Sequence, residues 1–293
     1  MMKPLIRGLM GDSAFPSAEA VEFLESGADG IFESMRAYNG RIFKLDGHLN
    51  RLFASANSIG FKMPYRKKIL AGLIKEKLAK CHIKDAYIRV SISVGQECPT
   101  YPGVLEDSRG FLTTKGNIKI IVKKFVPYPL EYYENGVKVM TSTVRRDSPK
   151  GILPSIKSSN FLGGILARID GMNQEPFEVL MLNHEGHLTE GSVSNVFIVK
   201  DNLILTPPTY SGILKGITRG VVIDMAEKFR VKVLEIPITR HDVYNAWEAF
   251  LTNTSMEVMP VVSVDKRVIG DGRPGAITKK LLNEFRKMTR RAR

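Results

Sequence analysis

Lys157 stands as one charge among small, neutral and apolar neighbours in LPSIKSSNFLGG, Leu153 to Gly164. A lysine kept in a dry pocket loses its proton more readily, and its amine then serves as nucleophile or base. A hydrated surface lysine does neither, and this stretch alone leaves both readings open. In GHLTEGSVSNVFIV, Glu190 lies at a strand-to-loop junction, where a carboxylate could hold a proton on a heterocyclic nitrogen or simply face solvent. GILKGITRG places Ile217 and Thr218 after a glycine at a helix start. Free N–H groups, the positive dipole end and a hydroxyl there suit a phosphate, although an ordinary capped helix reads the same way.

Three further stretches could grip anions. Arg51 in HLNRLFASA sits one position from an apolar helix face and offers a planar fork to a phosphate, or to water. In DAYIRVSISVG, Tyr87, Arg89, Ser91 and Ser93 alternate with apolar residues, so phenol and guanidinium share one strand face. That pairing can hold a carboxylate, and a half-exposed strand with a polar outer face explains it equally well. FLTNTSMEVMPV ends a strand in Asn253, Thr254 and Ser255, a turn rich in hydroxyls and backbone donors. His184 and His187 fall in a turn, NHEGH, without the helical spacing of a metal motif, so no metal site is expected.

The elements that must position these residues are short and mixed. GHLNRLFASANSIGF reads as a helix with Leu49, Leu52, Phe53 and Ala56 on one side. YRKKILAGLIKEKLAK reads as a second, with Ile69, Leu70, Leu73, Ile74 and Leu78 at helical spacing. DAYIRVSISVG and NIKIIVKKF follow as strands, and the proline-bearing VPYPLEYYENG is the expected link between two domains. We therefore expect a smaller α/β domain over residues 1–126, a linker at 127–133 and a larger domain over 134–293 carrying Lys157. The second half alternates strands (VKVMTSTV, FEVLMLN, SNVFIVK, LILTPP, VKVLEIPIT, the end of YNAWEAFLTNT) with helices through about Met172 and in ITRGVVIDMAEKF. A hairpin at MPVVSVD and RVIGD and a closing helix from near Gly275 complete it. Regular βαβ spacing, a G-x-G-x-x-G run and a Walker signature are all missing, so the expected class is α/β with α+β-like mixed sheets.

Composition narrows the class of function. The chain has 293 residues, 43% hydrophobic and 25% charged, as ordinary globular proteins have. No apolar run approaches a membrane span and Met1 to Gly11 lacks a signal-peptide core, so a cytoplasmic protein without membrane contact is expected. Cys81 and Cys98 imply no disulfide framework. The net charge of +13 concentrates in two amphipathic runs, the Lys-rich helix and KKLLNEFRKMTRRAR, which read as solvated basic faces rather than a nucleic-acid surface.

Taken in order, FESMRAYNGRIFKLDGHLNRLFASA, IKSSNFLGGILAR, GHLTEGSVSNVFIV, GILKGITRG and FLTNTSMEVMPV with IGDGRPGAIT resemble the class IV (fold-type IV) pyridoxal-phosphate enzymes from about Gly30 onward. That family holds branched-chain aminotransferases, D-amino-acid aminotransferases and 4-amino-4-deoxychorismate lyases. The resemblance implies a two-domain subunit of D-amino-acid aminotransferase-like fold, usually a homodimer, with pyridoxal 5′-phosphate between the domains. It makes Lys157 the Schiff-base lysine and Glu190 the partner of the pyridine nitrogen, with Arg51, Ile217, Thr218 and Thr254 on the phosphate. Phe32, Tyr87, Arg89, Thr254 and Ser255 fall on the substrate side, the last two in a turn whose N–H groups meet the substrate carboxylate in branched-chain enzymes.

The activity so implied is ping-pong amino transfer between a branched-chain-like L-amino acid and 2-oxoglutarate. The strand AYIRV matches the Tyr-x-Arg element of branched-chain enzymes, and VGQECPTYPG lacks the Arg-x-His trap of the D-amino-acid enzymes. FESMR and the Thr-Asn-Thr/Ser turn lean instead toward the pyruvate-eliminating lyase, which is the alternative. Phe161 stands where a tyrosine commonly meets the cofactor phenolate. A protein that kept the fold only to bind polyanions would not need lysine, glutamate, arginine and phosphate turn together.

Overall fold

The computed structural model of the chain describes residues 30–93, 117–146, 156–158 and 162–291. Cys98, Ser159, Phe161 and residues 94–103, which the sequence singled out, lie outside the described residues. Strands β1 (Gly30–Tyr38), β2 (Arg41–Ile42), β3 (Ala86–Ser93) and β4 (Asn117–Lys124) form an antiparallel sheet in the order β2-β1-β3-β4. The β1–β2 reversal uses Asn39 and Gly40, both at positive φ (50° and 78°), the conformation a two-residue hairpin turn requires.

Helices α1 (Leu45–Ser58) and α2 (Lys67–Lys80) cover one face of this sheet. Leu49 and Leu52 of α1 and Leu70, Ile74 and Leu78 of α2 pack with Ile31, Met35, Ile88, Val90 and Ile92 in one apolar cluster. The seam of α2 therefore runs through every fourth residue, and Ile69, about 100° around the helix from Leu70, is left 51% exposed rather than joining it. Strand β3 is buried on both sides, so the alternative of a half-exposed strand with a solvated polar face is set aside.

The second sheet has the order β10-β9-β8-β11-β12-β5-β6-β7, with β13 paired to β12. Its strands are β5 (Val137–Arg145), β6 (Glu178–Leu182), β7 (Leu188–Gly191), β8 (Asn195–Lys200), β9 (Leu203–Thr206), β10 (Val233–Glu235), β11 (Glu248–Asn253), β12 (Glu257–Val264) and β13 (Arg267–Val268). Parallel and antiparallel pairs mix, which is the mixed α/β architecture expected from the sequence. Leu188 N–H donates to Ile238 O at 2.7 Å, so the edge strand β7 returns against the chain beyond β10 and the sheet curls. Phe197 and Phe250 stack at 4.8 Å in its core, joined by Val221 and Val222 of α5 (Ile217–Lys228) and by Leu281 and Phe285 of α7 (Ala276–Arg291).

One local expectation changes. VKVLEIPIT holds only three strand residues, because Pro237 has no N–H to continue a ladder. Within 127–133, the expected linker, α3 (Leu130–Asn135) begins; it is ended by Gly136 at φ 78°, and Tyr133 is buried with its hydroxyl donating to Met256 O. Two further helices, α4 (Leu162–Gly171) and α6 (Arg240–Tyr244), complete the described α-helices, and no described helix is long and apolar enough to cross a membrane.

Candidate active site

One face of the small sheet is polar and turned away from α1 and α2. Strand register pairs Phe32 with Ser91, Ser34 with Arg89, and Arg36 with Tyr87, so these six side chains share that face. The Ser34 and Tyr87 hydroxyls are 2.8 Å apart. Arg89, only 2% exposed, donates from Nε to Ser91 Oγ and lies with its guanidinium carbon 4.1 Å from the centre of the Phe32 ring. A guanidinium fork of this kind can hold a carboxylate.

Lys157 reaches the same ring from the other side of the chain. Its Nζ lies 4.5 Å from the Phe32 centroid. The backbone holds it there: Phe32 N–H donates to Lys157 O at 2.9 Å, Lys157 N–H donates to Ser55 Oγ of α1 at 3.3 Å, and Ser158 bridges to Ile31. A residue placed in the second half by sequence is thus stitched onto the first strand of the small sheet. Lys157 is half-buried there.

Glu190 ends a strand whose neighbouring turn is built around a second carboxylate. Glu178, fully buried, accepts from Ser192 Oγ, Ser194 Oγ and the N–H groups of Ser192 and Val193, and pairs with Arg168 at 3.1 Å. Gly191 is required there, since a side chain would collide with Ser194 Oγ and Glu178. That rigid turn fixes Glu190. Its Oε1 pairs with Arg146 at 2.7 Å, and its Oε2 accepts from Leu214 N–H and Asn195 Nδ2 at 2.9 and 3.2 Å. Burial pushes the Glu190 carboxyl above the usual carboxylate range, against the pull of Arg146, the Leu214 N–H and Lys157. A cation beside it would draw it back toward the ionised form.

The third corner lies where α1 meets the start of α5. Gly216 caps α5 without a side-chain hydrogen bond, leaving the first-turn N–H groups of Ile217 and Thr218 at a positive dipole end. A side chain on Gly216 would run into Asn195 Oδ1, so the backbone approaches here as a cradle only glycine permits. Arg51 donates from Nη1 to Lys215 O at 2.9 Å, one residue ahead of that cap. The turn between β11 and β12 closes the site as Thr254 Oγ1 donates to Ser34 O at 3.3 Å. That turn differs from the expectation in one respect: Asn253 Oδ1 accepts from both Ser255 N–H and Met256 N–H, at 2.8 and 2.7 Å. An asparagine side chain thus engages a donor that the resemblance assigned to the substrate carboxylate.

Sequence reading missed Glu33, His48, Arg146 and Asn195. Glu33 had a visible signal, a charge on the apolar side of β1 between Ile31 and Met35, where burial demands a partner. It pairs with Arg51 at 2.6 Å and with His48 Nδ1 at 2.7 Å. Burial alone would raise its carboxyl, but Arg51 and His48 bring it down to about 2 from an ordinary 4.5. A depressed carboxyl stabilises the fold above its unfolded pKa, and this contribution, on the order of 3 kcal/mol, is lost as pH falls through the folded value. Glu33→Gln should therefore start less stable at neutral pH and lose less further stability on acidification toward pH 2, read from denaturant midpoints. Parallel losses in both proteins would contradict the pairing.

Comparison with known proteins gives consistent relatives. A family model described as amino-transferase class IV matches residues 30–264. A Methanocaldococcus jannaschii protein named "Putative branched-chain-amino-acid aminotransferase" is 37% identical over 258 residues, 88% of this chain and 86% of its own length. The D-alanine aminotransferase of Listeria innocua is 32% identical over 258 residues, with 88% and 86% covered. Among solved structures, the branched-chain aminotransferase of the archaeon Thermoproteus uzoniensis with norvaline superposes with a TM-score of 0.79 at 32% identity, covering 89% of this chain and 86% of that one.

Proposed function

The chain belongs to the class IV aminotransferases, and on that premise we propose that it exchanges an amino group between a branched-chain-like L-amino acid and 2-oxoglutarate, in two half-reactions, with pyridoxal 5′-phosphate as cofactor. One observation carries the reading: Lys157 Nζ and the Arg89 guanidinium lie 4.5 and 4.1 Å from the centre of one Phe32 ring. A proton-moving amine and an anion-binding fork are then within the span of one small amino acid.

The cofactor fits the residues present. The cradle at Gly216, Ile217 and Thr218 beside Arg51 suits its phosphate, and the buried Glu190 suits its ring nitrogen. When bound, the cofactor supplies an electron-withdrawing ring that stabilises negative charge at the substrate α-carbon. Lys157 would move a proton off the α-carbon of the amino donor in the first half-reaction and onto the α-carbon of the acceptor in the second. Glu190 keeps a proton on the ring nitrogen, Arg89 and Tyr87 orient the acid end, and Phe32 gives the substrate an apolar floor. A second copy of the chain belongs to the proposal too: Leu162, Leu166 and Ile169, exposed at helical spacing on α4, suit burial in a homodimer.

FESMR and the Thr-Asn-Thr/Ser turn, which resemble the lyase pattern, support a second reading, the pyruvate-eliminating 4-amino-4-deoxychorismate lyase. An amino-donor screen with 2-oxoglutarate, following glutamate formation, separates the two. Turnover of Leu, Ile or Val is expected. Pyruvate released from aminodeoxychorismate, with no glutamate formed from any donor, would replace the first reading by the second.

A further inference from the structure

We propose that Glu33, braced by His48, is the positioning residue of the phosphate end of the site: it sets the plane of Arg51 and through it aligns β1 with the start of α5. The inference rests on the cofactor reading above. Arg51 presents Nε and Nη2 to the two carboxylate oxygens of Glu33 at 2.6 and 2.8 Å, a fork-on-fork contact that fixes the guanidinium plane. Its Nη1 donates at the same time to Lys215 O, the carbonyl that leads into Gly216 and the α5 cap. Three of the five guanidinium N–H groups are thereby committed, which leaves one on Nη1 and one on Nη2 for an anion.

Stability alone is a poor reason for this arrangement. Glu33 is completely buried on the apolar side of β1, and well-packed apolar residues commonly replace buried ion pairs without loss. What the pair provides is a guanidinium whose charge is partly offset and whose orientation is fixed before any ligand arrives. His48, 2% exposed, contacts Glu33 Oε2 through Nδ1 at 2.7 Å. Burial disfavours the charged imidazole, opposed by Glu33 and assisted by Arg51 and Lys157, so His48 braces the carboxylate without adding a cation. The geometry tolerates little slack. A guanidinium rotated about its own axis would lose Lys215 O and shift the rim of the cradle.

The test titrates cofactor-free protein with pyridoxal 5′-phosphate and, separately, with pyridoxal, which lacks the phosphate, reading Kd from absorbance and thermal midpoints of the cofactor-free forms. Wild type should prefer the phosphorylated compound. In Glu33→Gln that preference should shrink by roughly 10- to 100-fold, the loss expected for one charge-assisted contact, while pyridoxal affinity is unchanged. Glu33→Asp, which keeps the charge, should recover part of the preference. Should Glu33→Gln fail to fold, His48→Gln gives the same readout with a smaller expected drop. Equal weakening toward both compounds, or an unchanged preference while Arg51→Ala abolishes it, would overturn the role of Glu33 alone. A wild type with no preference for the phosphate, or an Arg51→Ala protein that keeps it, would overturn the phosphate assignment and this proposal with it.

Discussion

Lys157→Ala should lower amino transfer by at least about 1,000-fold, the scale on which a positioned general base contributes to proton transfer. The substitution removes the amine together with its contact to the Phe32 ring and leaves the backbone in place. Lys157 is held by backbone contacts, Phe32 N–H on its carbonyl and its own N–H on Ser55 Oγ, which alanine preserves. The thermal midpoint should accordingly stay within a few degrees of wild type while kcat collapses, and the absorbance band near the visible edge given by cofactor bound to the lysine should vanish. The residues proposed for the phosphate and the ring nitrogen lie elsewhere in the site, so retention of some cofactor without that band is expected. A variant within tenfold of wild type would remove Lys157 from the chemistry.

How much of this could be read from residues alone depends on the distance over which each signal acts. Lys157, Glu190 and the α5 start sit in local patterns, a small-residue stretch, a strand end before glycine, and a glycine ahead of a helix, and these are visible in a single pass. Asn253 was visible too, but its consequence was not: whether its side chain faces the substrate or caps Ser255 N–H depends on turn geometry. The pairs that organise the site join residues far apart, Glu33 with Arg51 across 18 positions and Thr254 with Ser34 across 220. Periodicity reports which side of an element faces the core, and it placed Leu70, Ile74 and Leu78 correctly. It does not report which element lies opposite. For the same reason the polar side of β3 read equally well as solvated, because the residues that cover it come from elsewhere in the chain.

Glu190→Gln is expected to cost about 100-fold in kcat/KM, close to the upper value of a lost charge-assisted hydrogen bond, with most of the loss in kcat. The amide nearly matches the carboxylate in shape, so one oxygen can still accept from Leu214 N–H or from Arg146. It cannot balance a proton on the ring nitrogen, and its NH2 group opposes the Arg146 guanidinium. In the proposed reaction, loss of the negative charge would weaken the ring as an electron sink for the proton removal assigned to Lys157, whereas the residues proposed for the phosphate would be untouched.

The pH dependence provides an independent check on the same residue. Because burial outweighs Arg146 and raises the Glu190 carboxyl, the cofactor-free site takes up a proton on acidification earlier than an ordinary glutamate would. That proton competes with the one on the ring nitrogen, so cofactor affinity in wild type should fall as pH drops through the raised value, and Glu190→Gln should lack this acid limb. Arg146→Gln should move the limb upward, since it removes the strongest opposing charge. A wild type and Glu190→Gln with superimposable pH profiles of cofactor affinity would detach Glu190 from the ring nitrogen, leaving its buried pair with Arg146 as a brace between β7 and the end of β5.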